Sequence, residues 1–410
     1  MKNRKIYTLF LGLLAAVPPL ATDMYLAAIP RIADEWSVEK SVINLSLVLW
    51  FAAYGIALLI WGGLSDRFGR RPILLSGLIT FIVSTILCSL SQNANQLIAA
   101  RLLQGIGAAG ASSMVLAIAR DRFEGKERQK LLAWIGIILG TAPMIAPSFG
   151  ALILKYSSWR MIFIAQALLS VISLAVTLNI YTETAVSLDK GGFTAMLKRY
   201  VRLSKNADYM LSNGAIGLIN PPFFGFIAFS ATAYILHFGM SEQRFAALFG
   251  ANAMCAILGS ALCTQLIKRY SEYRLLTICF TGCLIGGLTL LLMGVPKWYV
   301  FFIGMGIYSF FLGLSRPLIN HLIVEQVSQD IGAASSGIVC YQFIAGAIGM
   351  YIAEQPWLKP FLAFGIMAAI CPLAVLLIWP VLLKRIRQNQ STASADTTAK
   401  EASIEEASGG

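Results

Sequence analysis

The fold is decided by a short charged segment between two long apolar runs: Gly62-Gly63-Leu64-Ser65-Asp66-Arg67-Phe68-Gly69-Arg70-Arg71-Pro72. The run before it, Leu45–Trp61, carries no charged residue, and neither does the run after it, Ile73–Leu90. Each run is close to the ~20 apolar residues that an α-helix needs to cross the hydrocarbon core of a bilayer. A charged loop this short must therefore lie at one face of a membrane, with a membrane-crossing helix on either side.

The composition extends this interpretation to the whole chain. The 410 residues are 57% hydrophobic and 13% charged, whereas soluble domains carry about 25% charged residues. Twelve runs are long enough for helices, and a barrel strand would need only about ten alternating residues. The sequence therefore predicts an all-α integral membrane protein with these spans: Ile6–Ile29, Val42–Gly63, Ile73–Leu90, Gln96–Ala119, Leu131–Leu154, Trp159–Tyr181, Tyr209–Leu236, Phe245–Ile267, Leu275–Met293, Trp298–Leu318, Ala333–Ile352 and Pro360–Leu383.

The basic residues predict the orientation. Most of the 32 Lys and Arg residues fall on segments that are cytoplasmic if both termini are cytoplasmic, as the positive-inside rule requires. The net charge of +12 is then a topology signal and does not indicate nucleic-acid binding, because the basic loops are short and adjoin spans. We expect a multi-pass protein of the inner (cytoplasmic) membrane whose first span is retained rather than cleaved as a signal peptide.

The spans divide into two halves. We expect an N-terminal six-helix bundle at 1–181, a cytoplasmic linker at 182–205, a C-terminal six-helix bundle at 206–387 and a tail at 388–410. The linker contains the basic amphipathic piece Phe193–Leu203, which would lie flat on the inner leaflet. The tail is rich in Ser, Thr, Ala and Glu, a composition that predicts disorder.

Four segments resemble one transporter family. The opening stretch is similar to the G-x-L-x-D-R-x-G-R-R/K loop that joins helices 2 and 3 in the major facilitator superfamily, and the segment starting at Arg101, RLLQGIGAA, is similar to its R-x-x-Q-G-x-G-A-A pattern. Span five carries APMIAPSFG from Ala142, a partial match to the glycine–proline pattern of drug exporters, and span one carries TDMYLAAIP from Thr22. Together they resemble the Bcr/CflA branch of twelve-helix drug:proton antiporters.

The resemblance implies a two-bundle transporter that exports amphiphilic drugs from the cytoplasm in exchange for protons. Its partners would be a small amphiphilic substrate, protons and the lipid bilayer, with no nucleic acid, no cofactor and no metal, and it would act as a monomer. The chain contains no phosphate-binding G-x-x-x-x-G-K-S/T loop for ATP. A dedicated exporter of one metabolite or siderophore, or an importer of the same fold, remains open.

Two charges lie well inside the first half, Asp23 in span one and Arg101 in span four. A charge at membrane depth costs roughly 2.5–3.5 kcal/mol on insertion scales and therefore marks function or a partner. The two residues lie at similar depth on antiparallel helices. We expect them to form the proton-coupling pair, in which protonation of Asp23 switches with conformation; a static ion pair between the two helices is the structural alternative.

Three further groups complete the candidate sites. The cytoplasmic gate comprises Gly62, Asp66, Arg67, Gly69, Arg70, Arg71 and Asp121. In it Asp66 would cap the start of span eleven, where the helix dipole favours an anion, and Arg70 would pair with Asp121. The helix-packing motif comprises Gly136, Gly140, Pro143, Pro147 and Gly150. The candidate substrate cavity comprises Tyr25, Trp50, Tyr54, Gln104, Met144, Asn220, Phe223, Phe224 and Gln342.

Other functional classes fit less well. An integral-membrane enzyme would need a catalytic set at one depth, but the chain has only two histidines, His237 and His321, both near span ends. A non-transporting receptor would need a sizeable soluble domain. The chain is therefore not expected to be an enzyme.

Overall fold

The computed structural model describes residues 2–184, 192–292, 297–327 and 329–408. Within these ranges the chain forms fifteen α-helices and one π-helical segment, Thr232–His237, with no β-strand. The helices are α1 (Lys2–Leu26), α2 (Ile29–Trp36), α3 (Lys40–Phe68), α4 (Arg70–Leu90), α5 (Ala94–Arg122), α6 (Gly125–Tyr156), α7 (Arg160–Ile180), α8 (Gly192–Lys205), α9 (Ala207–Gly217), α10 (Asn220–Ala231), α11 (Glu242–Leu266), α12 (Glu272–Leu291), α13 (Trp298–Val324), α14 (Ile331–Ala353) and α15 (Pro360–Ser408).

Twelve helical segments of the described chain are long and apolar enough to cross a membrane. This confirms the predicted all-α class and the number of spans. Helices α9 and α10 and the π-helical segment together form the seventh span. Helices α2 and α8 lie outside the spans, α2 between the first two and α8 in the linker.

Small residues of α5 bring three helices of the first half together. A Cβ atom at Gly105 would lie 2.5 Å from the carbonyl oxygen of Trp50 on α3, and one at Gly107 would lie 2.4 Å from the backbone nitrogen of Phe81 on α4. Helices in a membrane associate through such close backbone approach. The glycines of the R-x-x-Q-G-x-G-A-A segment therefore place α5 at the centre of the first bundle.

The seventh span is broken at its centre. The helix α9 ends at Gly217 and α10 begins at Asn220, directly before Pro221 and Pro222, which cannot donate backbone hydrogen bonds. The hydroxyl of Tyr308 donates to the carbonyl oxygen of Ile219 over 2.8 Å. Such side-chain donors are what makes an interruption tolerable at membrane depth.

The structure formed by the two halves has two ends, which we call the terminal face and the opposite face. The terminal face contains the start of α1, the part of α15 where the chain leaves the bundle, the 62–72 turn and α8. The opposite face contains α2. Helix α3 packs on α14 and α6 packs on α11. Specific contacts between the halves include Gly140 with Ile257 and Gly250 with Met144.

Toward the terminal face, three glycines of the two halves have open space beside them. No atom lies within 4 Å of a Cβ built at Gly62 on α3, Gly136 on α6 or Gly332 on α14, outside each residue's own chain neighbourhood. At the opposite face, by contrast, α2 is tied to α11 by an ion pair between Arg31 and Glu242. The halves are therefore linked at the opposite face, whereas the described glycines toward the terminal face adjoin open space, an arrangement that favours an opening there.

The last helix extends beyond the last predicted span. Helix α15 continues to Ser408 and so includes residues 388–408, for which the composition predicts disorder. Ala, Glu, Lys and Gln in this segment are good helix formers. The linker piece predicted to be amphipathic lies within α8.

Candidate transport site

Asp23 is a buried carboxyl with no cation beside it. Its side chain is 5% exposed and accepts a hydrogen bond from the hydroxyl of Thr22 over 2.9 Å. No ion pair to Asp23 is formed by any described residue. An isolated carboxylate is costly to bury, so this position favours the neutral, proton-carrying acid in the present conformation.

Arg101 is fully buried in a cage of aromatic rings. Its guanidinium lies 4.6 Å from the ring centroid of Tyr25, 5.7 Å from that of Trp50 and 5.9 Å from that of Phe163. Such cation–π contacts can contribute 2 kcal/mol or more each when desolvated, on the order of the cost of burying the charge. The surrounding rings therefore stabilise a cation that has no carboxylate partner.

The hydrogen bonds of Arg101 lead to the backbone of α1. Its Nη1 donates to the carbonyl oxygen of Ala21 over 2.9 Å and also to Oε1 of Gln104. The Gln104 amide then donates to Thr85 and to Gln166. Arg101 therefore forms no ion pair with Asp23 in this structure, because its Nη1 turns to a carbonyl two residues earlier, while Nε and Nη2 have no hydrogen-bond partner among the described residues.

Most residues predicted to line the cavity are buried in this conformation. Six are at most 7% exposed: Tyr25, Trp50, Tyr54, Gln104, Asn220 and Phe224. Tyr25 bonds to Ser46, Tyr54 bonds to Ser112 and stacks on Trp50, and Phe224 packs between Phe51 and Phe343. Met144, Phe223 and Gln342 keep intermediate exposure. The structure therefore brings two groups together, a polar core in the first half and an aromatic cluster where the halves meet.

The gate loop is organised around Arg70. Its Nε lies 3.0 Å from Asp121 on α5 and its Nη1 lies 2.7 Å from Asp66. The predicted pairing of Arg70 with Asp121 is present. The same guanidinium also donates to the hydroxyl of Ser65, so that the loop, the end of α3 and the end of α5 form one network within the first half.

Gly69 and Glu183 shape the turn itself. Gly69 has φ of 94°, in the left-handed region that favours glycine. A Cβ there would lie 2.5 Å from a carboxylate oxygen of Glu183. That carboxylate accepts the backbone N–H groups of Arg70 and Arg71, where a helix N-terminus favours an anion. Glu183, which follows the sixth span, is a gate residue that the sequence interpretation missed.

Asp66 does not cap α14 in this structure. Its hydrogen-bond partner among the described residues is Arg70, and its side chain is 40% exposed. The start of α14 is instead approached by α8, where Arg199 and Arg202 lie within 4 Å of Asp330. The expected cap is absent because Asp66 pairs with Arg70 within the first half. Arg67 lies over the ring of its neighbour Phe68, and Arg71 also donates to the carbonyl oxygen of Leu178.

The glycines of the packing motif have different surroundings. A Cβ at Gly150 would lie 2.1 Å from the carbonyl oxygen of Met24, next to Asp23, and one at Gly140 would lie 3.2 Å from Ile257 in the other half. Gly136 has open space. Pro143 and Pro147 lie inside α6. The motif therefore joins α6 to α1 at one end and to α11 at its centre.

A second buried acid lies where the halves meet at the opposite face. Glu354, at the end of α14, is 9% exposed and accepts from the hydroxyl of Thr232 over 3.2 Å. Burial raises the pKa of the Glu354 carboxyl to about 8, although Thr232 and the cation of Lys40 on α3 act to lower it. The sequence interpretation missed Glu354; a single acid directly ending an apolar run was the available signal.

Similarity to known proteins agrees with this architecture. Residues 11–350 match the model of the Major Facilitator Superfamily. A bacterial homologue of the human lysosomal transporter Spinster, solved in an inward-facing and unoccupied conformation, superimposes with a TM-score of 0.72 at 14% identity, over 93% of this chain and 98% of that chain. The fold therefore defines a membrane transporter built from two six-helix bundles, not an enzyme.

Curated relatives make the assignment more specific. The chain is 30% identical to the uncharacterized MFS-type transporter YdgK of Bacillus subtilis (strain 168), over 85% of this chain and 88% of the relative. It is 26% identical to a bicyclomycin resistance protein homolog of Haemophilus influenzae, over 86% and 90%. It is 32% identical to the multidrug resistance protein MdtL of Escherichia coli O9:H4 (strain HS), over 40% and 42%. The chain belongs to the major facilitator superfamily and is a multi-pass protein of the inner membrane.

Proposed function

We propose that this transporter exports amphiphilic drugs or related small molecules from the cytoplasm in exchange for protons, by alternating access. The observation that carries the proposal is the environment of Asp23, a buried carboxyl with which no cation of the described residues forms an ion pair. Opening of the opposite face would hydrate the region around α1 and α6, and hydration favours release of the proton. Protonation of Asp23 would thereby follow the conformational cycle.

The names of two relatives support export rather than import. One is named for bicyclomycin resistance and the other for multidrug resistance, and a transporter confers resistance by moving a drug out of the cell. With the terminal face cytoplasmic, as the basic residues predict, the open space beside Gly62, Gly136 and Gly332 supports an inward-open state that would load such a substrate. One charge moving through 100 mV gains about 2.3 kcal/mol, which can support roughly a fiftyfold gradient.

The experiment is proton-driven efflux from sealed proteoliposomes with the Asp23→Asn variant. Asn keeps the size of the side chain and the hydrogen bond to Thr22 but cannot titrate. We expect the variant to insert and to exchange substrate across the membrane without accumulating it against a gradient. Wild-type accumulation in Asp23→Asn would remove Asp23 from the coupling mechanism. Thr22→Val is the matched control, since it removes the hydrogen bond and retains the titratable group.

A further inference from the structure

Arg316 is an accessible cation inside a membrane span. It lies on α13, eight residues before the helix ends at Val324. The residue is exposed although it lies within a membrane-spanning segment. Because a charge at this depth is costly in lipid, we infer that the exposed side chain faces a water-filled cavity in the bundle interior.

No described residue neutralises Arg316. It forms no ion pair and no hydrogen bond with the described part of the chain. The described carboxyls of the spans lie within two residues of a helix end, except Asp23, which is buried on α1 in the other half. Arg101 differs, because it is fully buried and its Nη1 donates to Ala21 and Gln104. A charge retained at this depth without a partner marks a ligand site by default.

The neighbours of Arg316 supply the other parts of a binding site. Its guanidinium lies 5.2 Å from the ring centroid of Phe223, which is half-exposed on α10. One turn further along α13, Asn320 accepts a hydrogen bond of 3.4 Å from the amide of Gln342 on α14. Both amides remain accessible and retain N–H groups that can donate to a ligand. Three helices of the second half thus contribute a cation, amide donors and an aromatic ring.

We propose that Arg316 is the anion-recognition residue of the central cavity, and that the substrates are organic anions with an aromatic body, such as carboxylates or sulfonates. The planar guanidinium binds a carboxylate through two parallel hydrogen bonds, while Phe223 packs on the apolar body. This inference rests on the proposed transport function and names the substrate class for it.

The charge of the substrate has an energetic consequence. Export of a monoanion in exchange for one proton moves two positive charge equivalents inward per cycle. An inside-negative potential would then drive this export, because both charges move down the potential, whereas exchange of a monocation for one proton would be electrically neutral. A membrane potential imposed without a pH gradient should therefore accelerate export of the anion.

The test uses three probes of one shape: 2-naphthoate, its uncharged amide 2-naphthamide and the cation 2-naphthylmethylammonium. Binding to the purified full-length protein is measured in detergent by tryptophan fluorescence and by thermal shift. We expect wild type to bind 2-naphthoate about 10-fold to 100-fold more tightly than 2-naphthamide, as one or two charge-assisted hydrogen bonds provide. Arg316→Gln should abolish that preference with little effect on 2-naphthamide, and Arg316→Lys should restore part of it. The matched control is Arg269→Gln, which removes an exposed cation from the same half.

The outcomes separate this inference from the proposed function. Equal binding of the three probes, a preference for the cation, absence of 2-naphthoate binding, or an unchanged preference in Arg316→Gln would each overturn it. If Arg316→Gln is poorly folded, the comparison of Arg316→Lys with wild type decides, because Lys keeps the charge but loses the bidentate geometry and should retain a reduced preference. If the anion preference is present but Asp23→Asn still accumulates substrate against a gradient, the coupling proposal fails and the anion site stands.

Discussion

Arg101 donates a hydrogen bond to the carbonyl oxygen of Ala21, two residues before Asp23, and does not pair with the Asp23 carboxyl itself. The cation of α5 thus holds the backbone of α1 while leaving the acid uncompensated. This arrangement separates two roles that an ion pair would combine: Arg101 fixes the position of α1, and Asp23 is left to exchange a proton.

The first prediction follows from this separation. Arg101→Lys and Arg101→Ala should both lower the thermal stability of the purified protein, because neither side chain can bond to Ala21 and Gln104 while contacting three rings. We expect a loss of roughly 1.5–3 kcal/mol for each charge-assisted hydrogen bond removed, measured by thermal unfolding in detergent. The pH profile of residual transport should keep its midpoint. A shift of that midpoint in Arg101→Ala would show that the two groups are electrostatically coupled in another state.

The limits of the sequence interpretation are visible in the same residues. Spacing along a helix predicted the depth of Asp23 and Arg101, since each residue rises 1.5 Å. It could not predict which way a long, flexible side chain turns, and the carbonyl of Ala21 carries no sequence signal. The twelve spans followed from long apolar runs, and the pairing of Arg70 with Asp121 followed from a motif with fixed spacing.

Other features depend on tertiary structure and had no local pattern. Glu183 comes to the turn at Gly69 only because α4 and α7 pack together. In the sequence Glu354 is simply a residue at a helix end. Only the packing of α3 and the π-helical segment around it shows that it is buried. Arg316 was visible as a charge inside a span, but the absence of a partner could be recognised only in three dimensions.

The second prediction concerns the gate. With the terminal face open, Asp66 bonds to Arg70 within the first half; we expect it to reach the start of α14 when that face closes. Asp66→Ala should then favour the open state, and a difference of 1.4 kcal/mol would change the ratio about tenfold. The measurement uses a cysteine introduced at Ser335 in a background without the seven native cysteines. In Asp66→Ala, the rate at which this cysteine is labelled from the terminal side should increase.

Two controls distinguish gating from folding. Asp121→Ala leaves the largely buried Arg70 without one partner and should lower stability by about 1–3 kcal/mol, whereas Asp66→Ala should leave stability nearly unchanged. Glu124→Ala removes an exposed acid near the same face and should alter neither quantity. If labelling at position 335 stays constant in Asp66→Ala while transport falls, the loop acts in folding or insertion.

The third prediction uses two glycines of α6 that differ in their surroundings. A Cβ at Gly150 would meet the backbone of α1 at 2.1 Å, whereas Gly136 has open space. Gly150→Ala should therefore destabilise the protein by about 1–3 kcal/mol through overpacking and should also impair transport, because it displaces α1 next to Asp23. Gly136→Ala is the matched control and should be neutral or stabilising by up to about 1 kcal/mol. Equal melting temperatures would contradict the close approach of α6 and α1.

The fourth prediction concerns Glu354 and pH. Closure of the opposite face buries this carboxyl and raises its pKa from 4.5 to about 8, so the closed state binds the proton more tightly than an open, hydrated state would. The proton therefore favours closure fully below the ordinary pKa, and this contribution is lost as pH rises toward 8. We expect the opposite face to open progressively between those two values, and Glu354→Gln, which mimics the protonated acid, should remain closed throughout.

Labelling of a cysteine introduced at Ser41, beside Lys40 at the start of α3, reports this opening from the opposite side of the membrane. Because thiol reactivity itself depends on pH, the rate at each pH is divided by the rate for the same cysteine in Glu354→Gln. In the protein that carries the Ser41 cysteine and the native Glu354, we expect this ratio of labelling rates to increase with pH. Asp34→Asn, which removes an exposed carboxyl from the same face, should behave like that protein. A ratio that stays constant across the range would mean that Glu354 does not titrate when the opposite face opens, and that the bonds from Thr232 hold it in one protonation state in both conformations.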